Sequence, residues 1–452
     1  MMRLSLFRRI LPIAGAGAML VAMTTVLPAT ATPARVRAAS ALQLTVSPKE
    51  SAFDTPLTIS ISGVKPGQRV TLGVTSVDAT GVKWSSSSTY VASPSGTVNP
   101  ATSPAVPVLG GSYFGLDPMG PVEFMTASAA NSTFWWWAPR NTTNAFVPLK
   151  GSWSKALSFV FSATSGQAHA SVTVERGPVL PVTASSESVA ADGFYGEFWQ
   201  PPAAQNSHVA ILLFGGSDGG VEADAALFAS RGYPTLNIAY FDAPGLPQQL
   251  KGIPIEYFAK ALRWLARQPG VNPKSVWVMG WSAGSEAALL TGIHYPNLVH
   301  GVAVFSPSDV ASCNYNPPTS LNCDGPWWTF EGRPVPYTTQ WANPHPTDNP
   351  AAVMPVGEIH GPVFLDCGGD DQAWDSCPSS EVIMSELAAA HDIYPHELLK
   401  YPDAGHGISF PAPYWPGWYT YHGLNALIGV DMESNPVALA DQWPKLLAFL
   451  HN

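Results

Sequence analysis

Apolar and polar positions alternate in short runs through the first third of the chain. Leu42, Leu44 and Val46 alternate with polar neighbours, as do Leu57, Ile59 and Ile61, and then Val70, Leu72 and Val74. Turn signals separate the runs: Val64-Lys65-Pro66-Gly67, Asp78-Ala79-Thr80-Gly81 and Ser93-Pro94-Ser95-Gly96. Short alternating runs at this spacing predict an all-β, immunoglobulin-like sandwich over residues 42–183, with its last strand at 169–174. The Gly- and Pro-dense stretch at 110–120 cannot be a regular strand. A Ser/Thr/Ala stretch at 183–188 marks the expected domain boundary.

Beyond that boundary the runs become wholly apolar. Residues 209–214, 234–240, 275–279, 302–305, 363–367 and 398–401 read as buried strands. Helical patterns fall between them, ending at Arg231, spanning 255–268 and running to about Tyr295, with a last one at 437–450. Strands alternating with helices predict a mostly parallel sheet covered on both faces over 184–452. The stretch at 306–357, rich in Pro, Trp and Asn, interrupts the rhythm. It reads either as a lid or binding loop or as a surface decoration pinned by a disulfide.

Composition narrows the partners. Only 12% of the 452 residues are charged, against about a quarter in ordinary domains, and the net charge is −10. No basic cluster lies outside the N-terminus, so nucleic acid is not an expected partner. Arg3, Arg8 and Arg9 precede an apolar run from Ile10 to about Leu27, and Ala29-Thr30-Ala31 fits a cleavage site. Residues 1–31 therefore read as a signal peptide of an exported protein, with an uncleaved anchor as the alternative. No other stretch is long enough to span a bilayer. Cys313, Cys323, Cys367 and Cys377 suit an oxidising compartment, and the two local pairings, 313 with 323 and 367 with 377, are the simplest of three. They lack zinc-ligand spacing, so no metal is expected. Trp135-Trp136-Trp137 reads as packing in preference to a sugar platform. Nothing in the sequence sets an oligomeric state.

The chemistry concentrates at Gly280-Trp281-Ser282-Ala283-Gly284. An apolar strand runs into this G-x-S-x-G, and an Ala- and Leu-rich helix leaves it, the context of a nucleophile elbow with Ser282 at its tip. A serine hydroxyl needs a base, and the base needs an acid that fixes its tautomer. Gly368-Gly369-Asp370-Asp371 follows one later strand and Gly405-His406-Gly407 follows the last, in the order Ser, Asp, His. His406 is chosen over His294, His300, His360, His391, His396 and His422 because it alone follows a sheet strand in a glycine turn. Asp371 is the chosen acid, with Asp370 its direct rival and Asp366 and Asp375 behind. The Ala283 N–H and the Ser217 N–H, the latter on Gly215-Gly216-Ser217-Asp218-Gly219-Gly220, are the expected oxyanion donors. That loop lacks the Walker lysine and the G-x-G-x-x-G spacing, so no nucleotide or other cofactor is expected.

With these residues in view, the chain resembles the acyl-CoA thioesterase and bile acid-CoA:amino acid N-acyltransferase family over about 42–452. The resemblance rests on Gly110-Gly111-Ser112-Tyr113, Asp117-Pro118-Met119-Gly120, Gly216 to Gly220 with Glu222, Ala229-Ser230-Arg231-Gly232-Tyr233 and Ala239-Tyr240. It continues in 280–286, in Gly369-Asp370-Asp371-Gln372-Ala373-Trp374 and in 401–406. It implies a β-sandwich packed on an α/β-hydrolase with Ser or Cys, then Asp, then His, positions that Ser282, Asp371 and His406 occupy. Amino-acid-conjugating members use Cys, so Ser282 points toward hydrolysis. The expectation is a serine hydrolase of acyl thioesters acting through an acyl-enzyme. The competing readings are a secreted carboxylesterase, an acyltransferase with another donor, and an inactive binding homologue.

Overall fold

Six consecutive parallel strands form the heart of the C-terminal half, in the order His396–Tyr401, Val363–Gly368, Gly301–Phe305, Val276–Trp281, Ala210–Phe214, Thr235–Ala239. The computed structural model describes residues 41–127, 152–217, 219–220, 224–314, 323–340, 343–391, 393–409, 412–416 and 434–452. The proposed signal segment, Trp135-Trp136-Trp137, Asp218, Glu222 and His422 lie outside them. Among the described residues, no helix is long and apolar enough to cross a membrane.

These strands read as continuous apolar runs because both faces are covered. Ile211, Leu213, Trp277 and Met279 point to one face, against helices Asp224–Ser230 and Ser434–Phe449. Leu212, Phe214, Val278 and Val304 point to the other, against helices Ile255–Leu265, Ala283–His294 and Ser376–Ala390. Three antiparallel strands extend the sheet to nine: Tyr195–Gln200, Val182–Glu187 and the two-residue Ser152–Trp153.

The boundary expected at 183–188 falls where the sandwich gives way to the hydrolase sheet. That stretch is a strand of the hydrolase sheet, and the sandwich's last strand, Ala168–Gly177, ends just before it. Ser, Thr and Ala carry too little apolar contrast to show alternation there, and the strand is mostly solvent-facing.

The N-terminal half is a six-stranded sheet, in the order Glu50–Ala52, Ala168–Gly177, Leu157–Ser165, Arg69–Val77, Lys83–Val91, Thr126–Ala127, faced by the pair Gln43–Ser47 and Thr58–Ser62. Its apolar core is continuous with the first face of the hydrolase sheet. One polar tie pins the junction. Asp54 accepts two bonds from Arg231, each 2.7 Å, and one from Trp443 Nε1 at 2.9 Å. Arg231 sits in the Ala229-to-Tyr233 motif, so this motif grips the sandwich.

The described residues of the 306–357 stretch pack over the elbow helix. Its strand Trp328–Phe330 pairs in parallel with Ile253–Pro254 and antiparallel with Arg333–Pro334. Trp328 Nε1 and the Ser312 N–H donate to Glu286 Oε2, at 2.7 and 3.0 Å. Complete burial of this helix carboxyl pushes it up to about 8. The disulfide expected between Cys313 and Cys323 is not formed. The register explains this. Cys313 bridges Pro326, and Asn314 exchanges backbone bonds with Gly325 and Asp324, so Cys323 does not lie across from Cys313.

Candidate active site

Ser282 sits at φ 52°, ψ −128°, between strand Val276–Trp281 and helix Ala283–His294. A non-glycine residue there is strained, and strain of that kind persists only where packing over-determines it. The packing is visible. A Cβ on Gly280 would lie 2.1 Å from Gly284 O, and one on Gly284 would lie 2.2 Å from Gly215 O. Only glycine allows strand, elbow helix and neighbouring loop to meet so closely. The Ser282 N–H donates to Phe305 O at 3.1 Å, anchoring the turn to the next strand.

The loop after strand Ala210–Phe214 leans on the elbow. A Cβ at Gly216 would sit 3.4 Å from Ser282 Cβ and 3.3 Å from Trp281 Cδ1. Ser217 follows immediately, while Ala283 opens a 12-residue helix. N–H groups in a helix's first turn lack intrahelical acceptors and carry the positive end of its dipole. Ala283 thus adjoins Ser282 in the chain, and Gly216, the residue before Ser217, packs against it.

The loops that carry Asp371 and His406 are tied together through their backbones. Asp370 N–H donates to Ala404 O and Gly369 N–H to Tyr401 O, each at 2.9 Å. On that frame Asp371 Oδ2 lies 2.8 Å from His406 Nδ1, with the side chains 1% and 9% exposed. Asp371 Oδ1 accepts the N–H groups of Ala373 (2.9 Å) and Trp374 (3.2 Å), so the carboxylate is held from both ends. Asp370 points outward and accepts from Gln372 Nε2 at 2.8 Å. Asp366 is fully buried, takes the Ser306 N–H at 2.9 Å and a bond from Gln442, and burial raises its pKa well above the carboxylate range. Asp375 precedes the helix Ser376–Ala390. Among these carboxylates, Asp371 is the one in contact with the imidazole of His406.

The rival histidines have other settings. His294 stacks on Phe330 with centroids 3.8 Å apart, and His300 Nε2 meets Asn452 O at 2.9 Å. Cys367 and Cys377 form a disulfide, closing the turn that carries Asp371. Two supports escaped the sequence reading. Trp374 packs edge-on to the His406 ring at 5.4 Å while its Nε1 donates to Ser306 O at 2.9 Å. Asn435 Oδ1, on the last helix, accepts the Gly405 N–H at 2.8 Å. Trp374 lies within the Gly369-to-Trp374 motif, whereas Asn435 has no local sequence signal.

Fold and site together define an α/β-hydrolase carrying an N-terminal β-sandwich. Comparison with known families assigns it further. The family described as "BAAT / Acyl-CoA thioester hydrolase C terminal" matches residues 253–452, and "Acyl-CoA thioester hydrolase/BAAT N-terminal region" matches 54–186. The chain belongs to this acyl-CoA thioester hydrolase/BAAT family.

Mouse mitochondrial acyl-coenzyme A thioesterase 2 is 28% identical over 90% of this chain and 88% of its own. Rat acyl-coenzyme A thioesterase 1 is 28% identical over 89% and 94%. Mouse acyl-coenzyme A amino acid N-acyltransferase 2 is 25% identical over 90% and 97%. Among solved structures, a dienelactone hydrolase-like promiscuous phosphotriesterase from metagenomic libraries matches with 16% identity and a TM-score of 0.39, over 60% of this chain and 98% of that one.

Proposed function

We propose that this protein hydrolyses acyl thioesters through an acyl-enzyme on Ser282. The observation that carries the reading is the 2.8 Å contact between Asp371 Oδ2 and His406 Nδ1. These residues follow parallel strands of the sheet whose elbow carries Ser282. An imidazole that donates Nδ1–H to a carboxylate presents its basic lone pair on Nε2. Ser282 Oγ attacks the acyl carbonyl carbon while Nε2 takes its proton. The carbonyl electron pair moves to oxygen and is received by the N–H groups of Ala283 and Ser217. Collapse breaks the C–S bond, the departing sulfur takes the proton from His406, and an ester remains on Ser282. Water, deprotonated by His406, repeats the sequence and releases the carboxylic acid.

The same reading has the enzyme working outside the reducing cytoplasm. Its supports are the Arg-flanked apolar N-terminal run and the Cys367–Cys377 bond. The mitochondrial and peroxisomal names belong to relatives.

An acyl-CoA series from acetyl to palmitoyl, with thiol release followed by a thiol-reactive dye, tests the substrate class beside p-nitrophenyl esters of the same acids. Thiol release with at least one chain length is expected. Strong ester turnover without any thiol release would replace the reading with a carboxylesterase.

A further inference from the structure

Tyr240 stands just beyond the end of strand Thr235–Ala239, is 1% exposed, and takes no part in the chemistry above. Its hydroxyl lies 2.7 Å from Gly215 O and 2.5 Å from Gly216 O, the two carbonyls that lead into Ser217. Gly216 O also receives the Gly219 N–H at 2.9 Å, so this carbonyl is held from two directions. A trans peptide is planar, with its N–H opposite its C=O. Fixing Gly216 O toward Tyr240 therefore fixes the Ser217 N–H in the opposite direction, away from the tyrosine.

The loop has little freedom to turn otherwise. Gly216 lies against Trp281 and Ser282, and a Cβ at Gly219, where φ is 60°, would collide with the Phe241 ring at 2.3 Å. The tyrosine ring is itself braced, with centroids 5.4 Å from Phe241, 5.8 Å from Phe258 and 5.7 Å from Trp328. Trp328 comes from the 306–357 stretch and is bonded to Glu286 on the elbow helix. That inserted layer thus backs the oxyanion loop and the nucleophile helix together.

We propose that Tyr240 is the positioning residue of the oxyanion loop, its hydroxyl aiming the Ser217 N–H at the carbonyl oxygen of the acyl group. The proposal rests on Ser282 being the nucleophile. Tyr240 touches no reacting atom; it acts through the Gly215 and Gly216 carbonyls. Its loss leaves the Ser217 donor present but unaimed, so the effect falls on the transition state and spares ground-state binding.

The test compares wild type, Tyr240→Phe and Ser282→Ala in the full chain. Octanoyl-CoA serves as substrate, an octylthio-trifluoropropanone as the oxyanion-forming ligand, and the S-octyl-CoA thioether as a ligand that forms none. Tyr240→Phe is expected to lower kcat about 10- to 100-fold with KM nearly unchanged, and to weaken the trifluoroketone by a similar factor while sparing the thioether. The ratio of the two affinities does not depend on the folded fraction, so a destabilised variant still gives an answer. A kcat within about threefold of wild type, or equal weakening of both ligands, would overturn the role of Tyr240. Undiminished turnover by Ser282→Ala would instead overturn the nucleophile assignment on which it rests.

Discussion

Ser282→Ala is expected to lower kcat about 10⁴- to 10⁶-fold, the loss seen when a hydrolase keeps its oxyanion donors but has no nucleophile. The fold should survive. Ser282 is only half-buried, and the strained turn is held by Gly280, Gly284 and the bond from its own N–H to Phe305 O. An alanine keeps that N–H. The measurement is kcat on the best substrate of the acyl series, with the melting temperature as a control. A variant that melts like wild type and turns over at more than about a hundredth of its rate would remove Ser282 from the mechanism.

Asp371→Asn should cost about 10⁴ in kcat, because an amide at this position stabilises the wrong tautomer of His406 and no longer balances the imidazolium. The adjacent Asp370→Asn should stay within roughly threefold of wild type, since an exposed side chain away from the imidazole contributes little. The contrast is informative because the two residues share one turn and one charge change. The Asn at 371 can still accept the Ala373 and Trp374 N–H groups through its carbonyl oxygen, so the turn is preserved. Equal losses in the two variants would mean that charge at the site, and not the contact with His406, is what matters.

Much of the hydrolase half was legible in the chain because burial on both faces writes unbroken apolar runs, and each of the six parallel strands coincides with one. The antiparallel strands were not. Val182–Glu187 is rich in Ser and Thr, and Tyr195–Gln200 mixes Glu and Gln with aromatics. In the sandwich, strand Lys83–Val91 hid itself by turning serines inward. Ser86 and Ser88 are buried beside Trp84 and Tyr90, and Ser86 Oγ spends its proton on Pro121 O.

The elbow was legible because its pattern is local: Gly280 is required by Gly284 O four residues on, although Gly284 itself is required by Gly215 O on a separate loop. The acid was legible only to a pair, since neighbouring side chains in a turn point different ways and a backbone bond to Ala404 decides which. Tyr240 and Asn435 act on backbone atoms about 25 and 30 residues distant, and no local pattern records such contacts.

The family motif at 229–233 gains a physical reason as well. Arg231, together with Trp443, holds Asp54 of the sandwich, so this residue of the motif ties the two halves together. In the 306–357 stretch, expected as a lid, binding loop or decoration, Trp328 bonds to Glu286 on the elbow helix and packs against the Tyr240 ring.

The most direct measurement is to quench the enzyme in acid within its first turnovers of octanoyl-CoA, or of whichever acyl donor it uses best, and to map the acylated peptide by mass spectrometry. Asp371→Asn can be run beside wild type. The account predicts one acyl group per chain, on Ser282, absent in Ser282→Ala. An acyl group on any other residue, or steady turnover with no acylated peptide at any time point, would contradict it.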